Sequence, residues 1–185
     1  MSLDDIANIH FGHLKRPKNS ANNVLNRLYR DGRIKRSTKV QPYLYFGPDT
    51  NIKENSAKIG HYLAIVDTYK DILKQGPISI FNVEPKYGPK GTVEPDVFSI
   101  ALRTPFFMEV QNTIYSDKLM KEKMDRYEKF YESGIITKEP WQPKGKEPIL
   151  PCVIIITQHR YAISNNYSFE IFQAESFSQF LESVK

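Results

Sequence analysis

Two short runs decide how this chain is read: Val93-Glu94-Pro95-Asp96-Val97-Phe98, and then Phe106-Phe107-Met108-Glu109-Val110-Gln111. Each has the apolar, β-branched and aromatic content of a strand buried in a sheet. Pro105 suits the start of the second strand, where no ladder donor is needed. Asp96 and Glu109 thus fall inside runs whose other members belong in a core. A buried, unpaired carboxylate is costly, so each acid needs a cation, hydrogen-bond donors or a metal. On neighbouring strands the two would converge at one sheet edge, where a hard divalent ion binds through oxygen.

Outward from these runs, the pattern alternates between helix and strand. Before them, residues 56–74 read as a helix with Ile59, Leu63, Val66 and Leu73 on one stripe, widened by Tyr62, Ile65, Tyr69 and Ile72. So broad a stripe predicts packing against a sheet. Strands are predicted over 78–83, 92–102 and 106–111. A helix capped by Ser116 or Asp117 then runs to about 133 and is closed by Gly134. A proline-rich loop over 139–151 leads into 152–157, a fully buried strand by composition. A shorter strand over 169–173 and a terminal helix over 174–184 complete the chain. A helix-connected crossover from 106–111 to 153–157 implies a parallel pair in a mixed sheet.

The N-terminal part has a different character. Ser2-Leu3-Asp4-Asp5 is a capping box that opens a short helix. Residues 10–18, with Gly12 and Pro17, read as irregular. A second helix, capped by Asn19 or Ser20, runs to about Arg30 with Val24, Leu25 and Leu28 as its apolar stripe, and Asp31-Gly32 ends it. Residues 33–46 read as a two-stranded hairpin with Lys35, Arg36 and Lys39 near its tip.

Charge follows the same division. The net charge is +5 over 185 residues. Residues 1–46 hold nine Lys/Arg against three Asp, a net of +6, whereas the remaining 17 basic and 18 acidic residues leave −1. A basic excess confined to one module is the electrostatic footprint of nucleic-acid binding. A solvated basic face, or a module that docks on a protein, is the alternative. The single cysteine, Cys152, excludes an internal disulfide framework and fits a reducing compartment. With no apolar run near ~20 residues and no signal-peptide core, the expectation is a cytoplasmic protein without a membrane partner.

The N-terminal order of helix, broken turn, polar-faced helix, glycine and basic hairpin resembles a winged helix-turn-helix. Its second helix would enter the major groove. Asn and Arg read adenine and guanine edges bidentately, so Asn22, Asn23, Asn26 and Arg27 are the candidate readers, with Arg30 beside them. Lys35, Arg36 and Lys39 would meet phosphates. Pro95-Asp96 followed by Glu109-Val110-Gln111 resembles the PD-(D/E)xK phosphodiesterase motif, with Gln111 where that family has lysine. Nearly the whole chain resembles the replication-relaxation family of plasmids and mobile elements, in which a winged helix precedes a nuclease-like domain.

The resemblance implies an α+β, α/β protein: a winged helix over 1–48, then a PD-(D/E)xK-like αβββαβ mixed-sheet domain over 49–185. It also implies Mg²⁺ or Mn²⁺ held by Asp96, Glu109 and the Val110 carbonyl, with Gln111 as the third group and Glu84 or Glu94 as further acids. Lys123 and Tyr127 resemble the Gln-xxx-Tyr pair of related nuclease-like families; Lys118, Lys121, Arg126 and Lys129 add to the basic character of their helix. Glutamine cannot act as a cation or general acid. If a basic side chain such as Lys123 neutralises the acids, a divalent ion gives no stabilisation.

Three readings stand. The first is a DNA-binding accessory protein of a plasmid, phage or mobile element in replication, transfer or transcriptional control, with double-stranded DNA and either a second copy or a replication or transfer complex as partners. The second is a Mg²⁺-dependent endonuclease or nickase with a degenerate ExQ motif. The third is a protein-interaction adaptor. His159 and Arg160 follow a buried strand, where an exposed turn is the default. His10, His13 and His61 lack metal-ligand spacing with Cys152.

Overall fold

Residues 1–66 and residues 67–185 fold as two units in this computed structural model, which describes residues 1–53, 56–164 and 166–185. The first unit opens with α1 (Leu3–Phe11) and α2 (Pro17–Arg30). The capping box at Ser2 is present: Ser2 Oγ accepts the Asp5 N–H at 3.1 Å, and Asp5 Oδ2 takes the Ser2 N–H at 3.0 Å. Such a cap contributes about 1 kcal/mol.

Helix α2 begins at Pro17, not at a cap on Asn19 or Ser20, so only residues 12–16 separate the helices. Proline at the first helical position loses nothing, because the N–H it lacks would be an orphan there. After α2, Gly32 takes a left-handed φ of 68°. Strands β1 (Lys35–Ser37) and β2 (Leu44–Phe46) then pair antiparallel, with Arg36 opposite Tyr45. Lys35 and Arg36 therefore lie in a strand, and only Lys39 of the three basic hairpin residues is in the connecting turn. Ala7, Ala21, Leu25 and Tyr45 form the small core, with Leu3, Ile6, Phe11, Ile34 and Tyr43 packed around it.

The boundary between the units falls inside α3 (Lys58–Gln75). Its buried positions are Ile65, Thr68 and Ile72; Leu73, expected on the stripe, is 43 % exposed.

The second unit continues with β3 (Ile78–Val83), β4 (Val97–Ala101), β5 (Thr104–Val110) and α4 (Asp117–Glu132). A 3-10 turn at Ile135–Lys138 follows, then β6 (Cys152–Ile156), β7 (Ile171–Ala174) and α5 (Phe177–Ser183). The strands form one mixed sheet in the order β3-β4-β5-β6-β7. The first two pairings are antiparallel and the last two parallel, including the predicted β5–β6 pair with Phe107 beside Val153 and Glu109 beside Ile155. Leu102 and Arg103 make the two-residue turn between β4 and β5, with φ of 52° and 68°, as a type I′ turn demands. Among the described residues no helix is long and apolar enough to cross a membrane.

One strand is shorter than expected. The run over 92–102 narrows to Val97–Ala101, so Asp96 lies just outside the ladder. Pro95 brings no N–H to a ladder, and the last backbone bond here runs from the Glu84 N–H to the Asp96 carbonyl at 2.9 Å.

The alternation of β5 sets everything that follows. Phe107 packs against Tyr127, Phe130 and Tyr131 of α4, while Phe106 meets Phe177 and Phe180 of α5 edge-on. Both faces of β5 are covered, which is why its sequence reads as a continuous apolar run rather than an alternating one.

Candidate functional site

Glu109 shares the α4 face of β5 with Phe107, two residues before it, and is wholly buried. On α4, Lys123 and Tyr127 are four residues apart and so project from one helical face together with Met120 and Tyr131; all four are buried. Lys123 Nζ donates to Glu109 Oε2, and the Tyr127 hydroxyl donates to Glu109 Oε1 at 2.7 Å. Both carboxylate oxygens thus have donors. Asp96 Oδ2 accepts the Val110 N–H at 2.7 Å, which holds the first acid against the strand that carries the second.

Burial pushes the Glu109 carboxyl up to about 7, and the charge of Asp96 adds to the rise, against the opposing pull of Lys123 and Tyr127. Burial drags Lys123 the other way, but Glu109 and then Asp96 outweigh it, so the ammonium is held more firmly than usual. The same pairing thus more than offsets burial for Lys123 and falls short for Glu109. Their depths explain the difference: the Lys123 side chain keeps 11 % of its surface and Glu109 none. Lys123 stays charged through the neutral range, and the acid beside it is the group that titrates. The Tyr127 hydroxyl is raised well above its ordinary value, by burial first and then by Glu109.

The remaining residues expected here divide. Gln111 continues the ladder through its N–H to the Ile156 carbonyl at 2.9 Å. Its Oε1 is buried with no donor among the described residues. Glu94 is exposed and pairs with Lys86 at 3.3 Å, and Glu84 is exposed beyond β3. Helix α4 is not basic: five Lys/Arg are balanced by five Asp/Glu, Lys123 is internal, and Lys121 pairs with Asp125 at 2.8 Å. His159 and Arg160 are exposed after β6, with the His159 N–H capped by Thr157 Oγ1.

A hard divalent ion wants several free oxygens. Here Glu109 gives both of its oxygens to Lys123 and Tyr127, and Asp96 gives one to Val110. Among the described residues no group of three or more His, Cys, Asp and Glu could hold a metal ion. This donor set does not fit Mg²⁺ or Mn²⁺ on Asp96, Glu109 and Val110, and no hydrolytic step follows from it.

The second candidate surface lies in the first unit. Asn22, Asn23, Asn26, Arg27 and Arg30 are all exposed on α2, while Ala21 and Leu25 face the core. Lys39 is exposed as well. Lys35 and Arg36 are engaged within the unit. Lys35 Nζ donates to the Thr50 carbonyl at 2.9 Å, and Arg36 Nη1 donates to Asn26 Oδ1 at 3.1 Å. The Arg36 guanidinium lies 4.4 Å from the Tyr29 ring centre and 5.4 Å from that of Tyr43. Sequence reading placed Tyr43 on the second arm of the hairpin and gave neither tyrosine a role at the site. The spacing of Tyr29, three residues after Asn26 and so on the same flank of α2, is the signal that could have found it. Residues 1–66 carry 11 basic and 5 acidic residues, a net of +6; residues 67–185 carry 15 and 16, a net of −1.

No protein-family model, curated protein or solved structure matches this chain.

Proposed function

We propose that this protein binds double-stranded DNA through residues 1–48, which act as a winged helix-turn-helix with α2 in the major groove and the β1–β2 hairpin as its wing. What carries the reading is one surface: α2 turns three asparagines and two arginines to solvent, on a unit with a net charge of +6. Amide and guanidinium side chains are the ones that match base edges, and a helix of 14 residues is long enough to lay several of them along a groove. The resemblance of the chain to the replication-relaxation family points to an accessory role in replication, transfer or transcriptional control on a plasmid, phage or mobile element. Within that reading residues 67–185 are a nuclease-like scaffold whose central acid is neutralised by its own lysine.

The test separates reading from positioning. Asn23→Ala and Arg27→Ala should each weaken a preferred duplex by roughly 1–3 kcal/mol and blur its base preference. Lys39→Ala should weaken all duplexes alike. Fluorescence anisotropy with preferred and scrambled duplexes distinguishes the two. Equal losses on both duplexes for all three variants would remove α2 as the reader.

A further inference from the structure

The mixed sheet has two edges, and the chain treats them differently. At one edge β7 is four residues long and is bracketed by the exposed carboxylates of Glu170 and Glu175. Shortness and flanking charge protect an edge from pairing with another chain. The other edge is β3, Ile78-Ser79-Ile80-Phe81-Asn82-Val83, six residues with no charge and no proline. Its register shifts at a bulge between Ile78 and Ile80 and is regular from there to Val83. Asn82 and Val83 are exposed, as is Leu73, one helical turn after the Tyr69 that packs edge-on against Phe81.

The open groups of β3 follow from its bonds to β4. The Glu84 N–H donates to the Asp96 carbonyl, and Ser99 Oγ donates to the Ile80 carbonyl. Glu84, Asn82 and Ile80 therefore turn their backbone toward β4, and the residues between them turn theirs away, as an antiparallel ladder requires. Phe81 and Val83 thus point N–H and C=O out of the sheet, and these groups have no partner among the described residues.

We infer that β3 pairs antiparallel with β3 of a second copy of this chain, joining two sheets into one across a two-fold axis at Asn82. The bulge leaves Phe81 and Val83 as the outward groups in regular register. A two-fold that satisfies both sets Phe81 of each copy against Val83 of the other, each pair exchanging both backbone bonds. Asn82 then faces its own counterpart in a non-hydrogen-bonded pair, where side chains come closest. An amide is donor and acceptor at once, so asparagine complements itself there, whereas aspartate or lysine would oppose a like charge. The strand is uncharged and residues 67–185 carry a net charge of only −1, so nothing in this unit repels its copy. Self-complementarity at Asn82 is what selects a second copy over a partner of opposite charge. The inference stands apart from the DNA-binding reading.

The experiment is sedimentation equilibrium of the full chain across micromolar concentrations. The wild type should sediment as a dimer and Val83→Pro as a monomer, because Val83 gives no N–H to β4 and the proline removes only an outward donor. Circular dichroism checks that this variant folds. Asn82→Asp and Asn82→Lys should each weaken self-association roughly fivefold, and an equimolar mixture of the two should recover it. Asn82→Cys should form a disulfide-linked dimer under mild oxidation, since Cα atoms of a non-hydrogen-bonded pair lie about 4.5 Å apart. Ser79→Cys, away from the axis, should not, and neither should the wild type with its Cys152. Should Val83→Pro not fold, the Asn82 variants still decide the matter. A wild type that is monomeric throughout overturns the inference. So do Asn82→Asp and Asn82→Lys that each dimerise as tightly as the wild type, or Ser79→Cys that cross-links as readily as Asn82→Cys.

Discussion

Arg27 and Lys123 are both cations on amphipathic helices, and the chain uses them in opposite ways. Arg27 lies exposed on α2 in a unit with a surplus of positive charge; Lys123 lies buried on α4 in a unit whose charges nearly cancel. An exposed charge loses little by being removed and is free to meet a ligand. A buried one is fixed by its partner, because either member left alone inside a protein is costly. The proposed function uses the exposed cations of the first unit for recognition, whereas the ion pair in the acid pocket of the second holds the fold together.

The sharpest break in that contrast is Lys123→Ala. It leaves Glu109 with the Tyr127 hydroxyl alone, and loss of one member of a buried pair costs about 3–5 kcal/mol. Urea unfolding should show this loss at pH 8 and a smaller one at pH 5, where Glu109 is protonated. A loss below about 1 kcal/mol at pH 8, the range of an exposed pair, would mean that the pair is not buried in solution.

The pH dependence of the wild type comes next in size. The folded Glu109 carboxyl sits at about 7 against an ordinary 4.5, so the fold favours its protonated form. Its contribution to stability is complete below pH 4.5 and is lost as pH rises to about 7, on the order of 3 kcal/mol in all. Lys123, raised as well, loses its contribution only above pH 10.5. Denaturation between pH 5 and 8 should therefore show stability falling with pH, and Glu109→Gln should remove that part of the slope. A wild-type slope unchanged in Glu109→Gln would place the titrating group elsewhere.

The smallest effect on stability is expected on α2. Arg27→Ala and Arg30→Ala should each change the unfolding free energy by less than about 0.5 kcal/mol, as exposed substitutions do. Parallel melting curves for the two variants and the wild type check this. A drop comparable to that of Lys123→Ala would erase the distinction between the units.

Much of this arrangement was legible in the residues, and the reasons are local. The capping box at Ser2, the continuous apolar runs of β5 and β6, and the Ser116 cap of α4 are short-range signals that tertiary packing did not override. The Lys123–Tyr127 spacing placed both groups on one helical face, and a buried acid demanded a partner, so the pocket around Glu109 could be anticipated as a set of residues. Its pairing could not. Whether a carboxylate meets a metal or a lysine depends on how α4 lies over β5, which no spacing specifies. Asp96 slipped out of its strand because Pro95 and the Glu84–Asp96 backbone bond end the ladder, a contact across 12 positions of sequence. Arg36 was misplaced for a similar reason: its tyrosine neighbours come from α2 and from the hairpin loop, and a cation in a basic stretch gives no hint that it is already held.

The claim at the centre of this account is that the cationic first unit meets a polyanion, and the salt dependence of DNA binding tests it most directly. With about 3–5 phosphates neutralised, log K for the full chain on duplex DNA should fall against log salt with a slope of about −3 to −4.5. Lys39→Ala, which removes one phosphate contact, should flatten that slope by about one, while Lys123→Met leaves it unchanged in whatever fraction remains folded. A slope near zero, or no measurable binding to duplex DNA at low salt, would contradict the account.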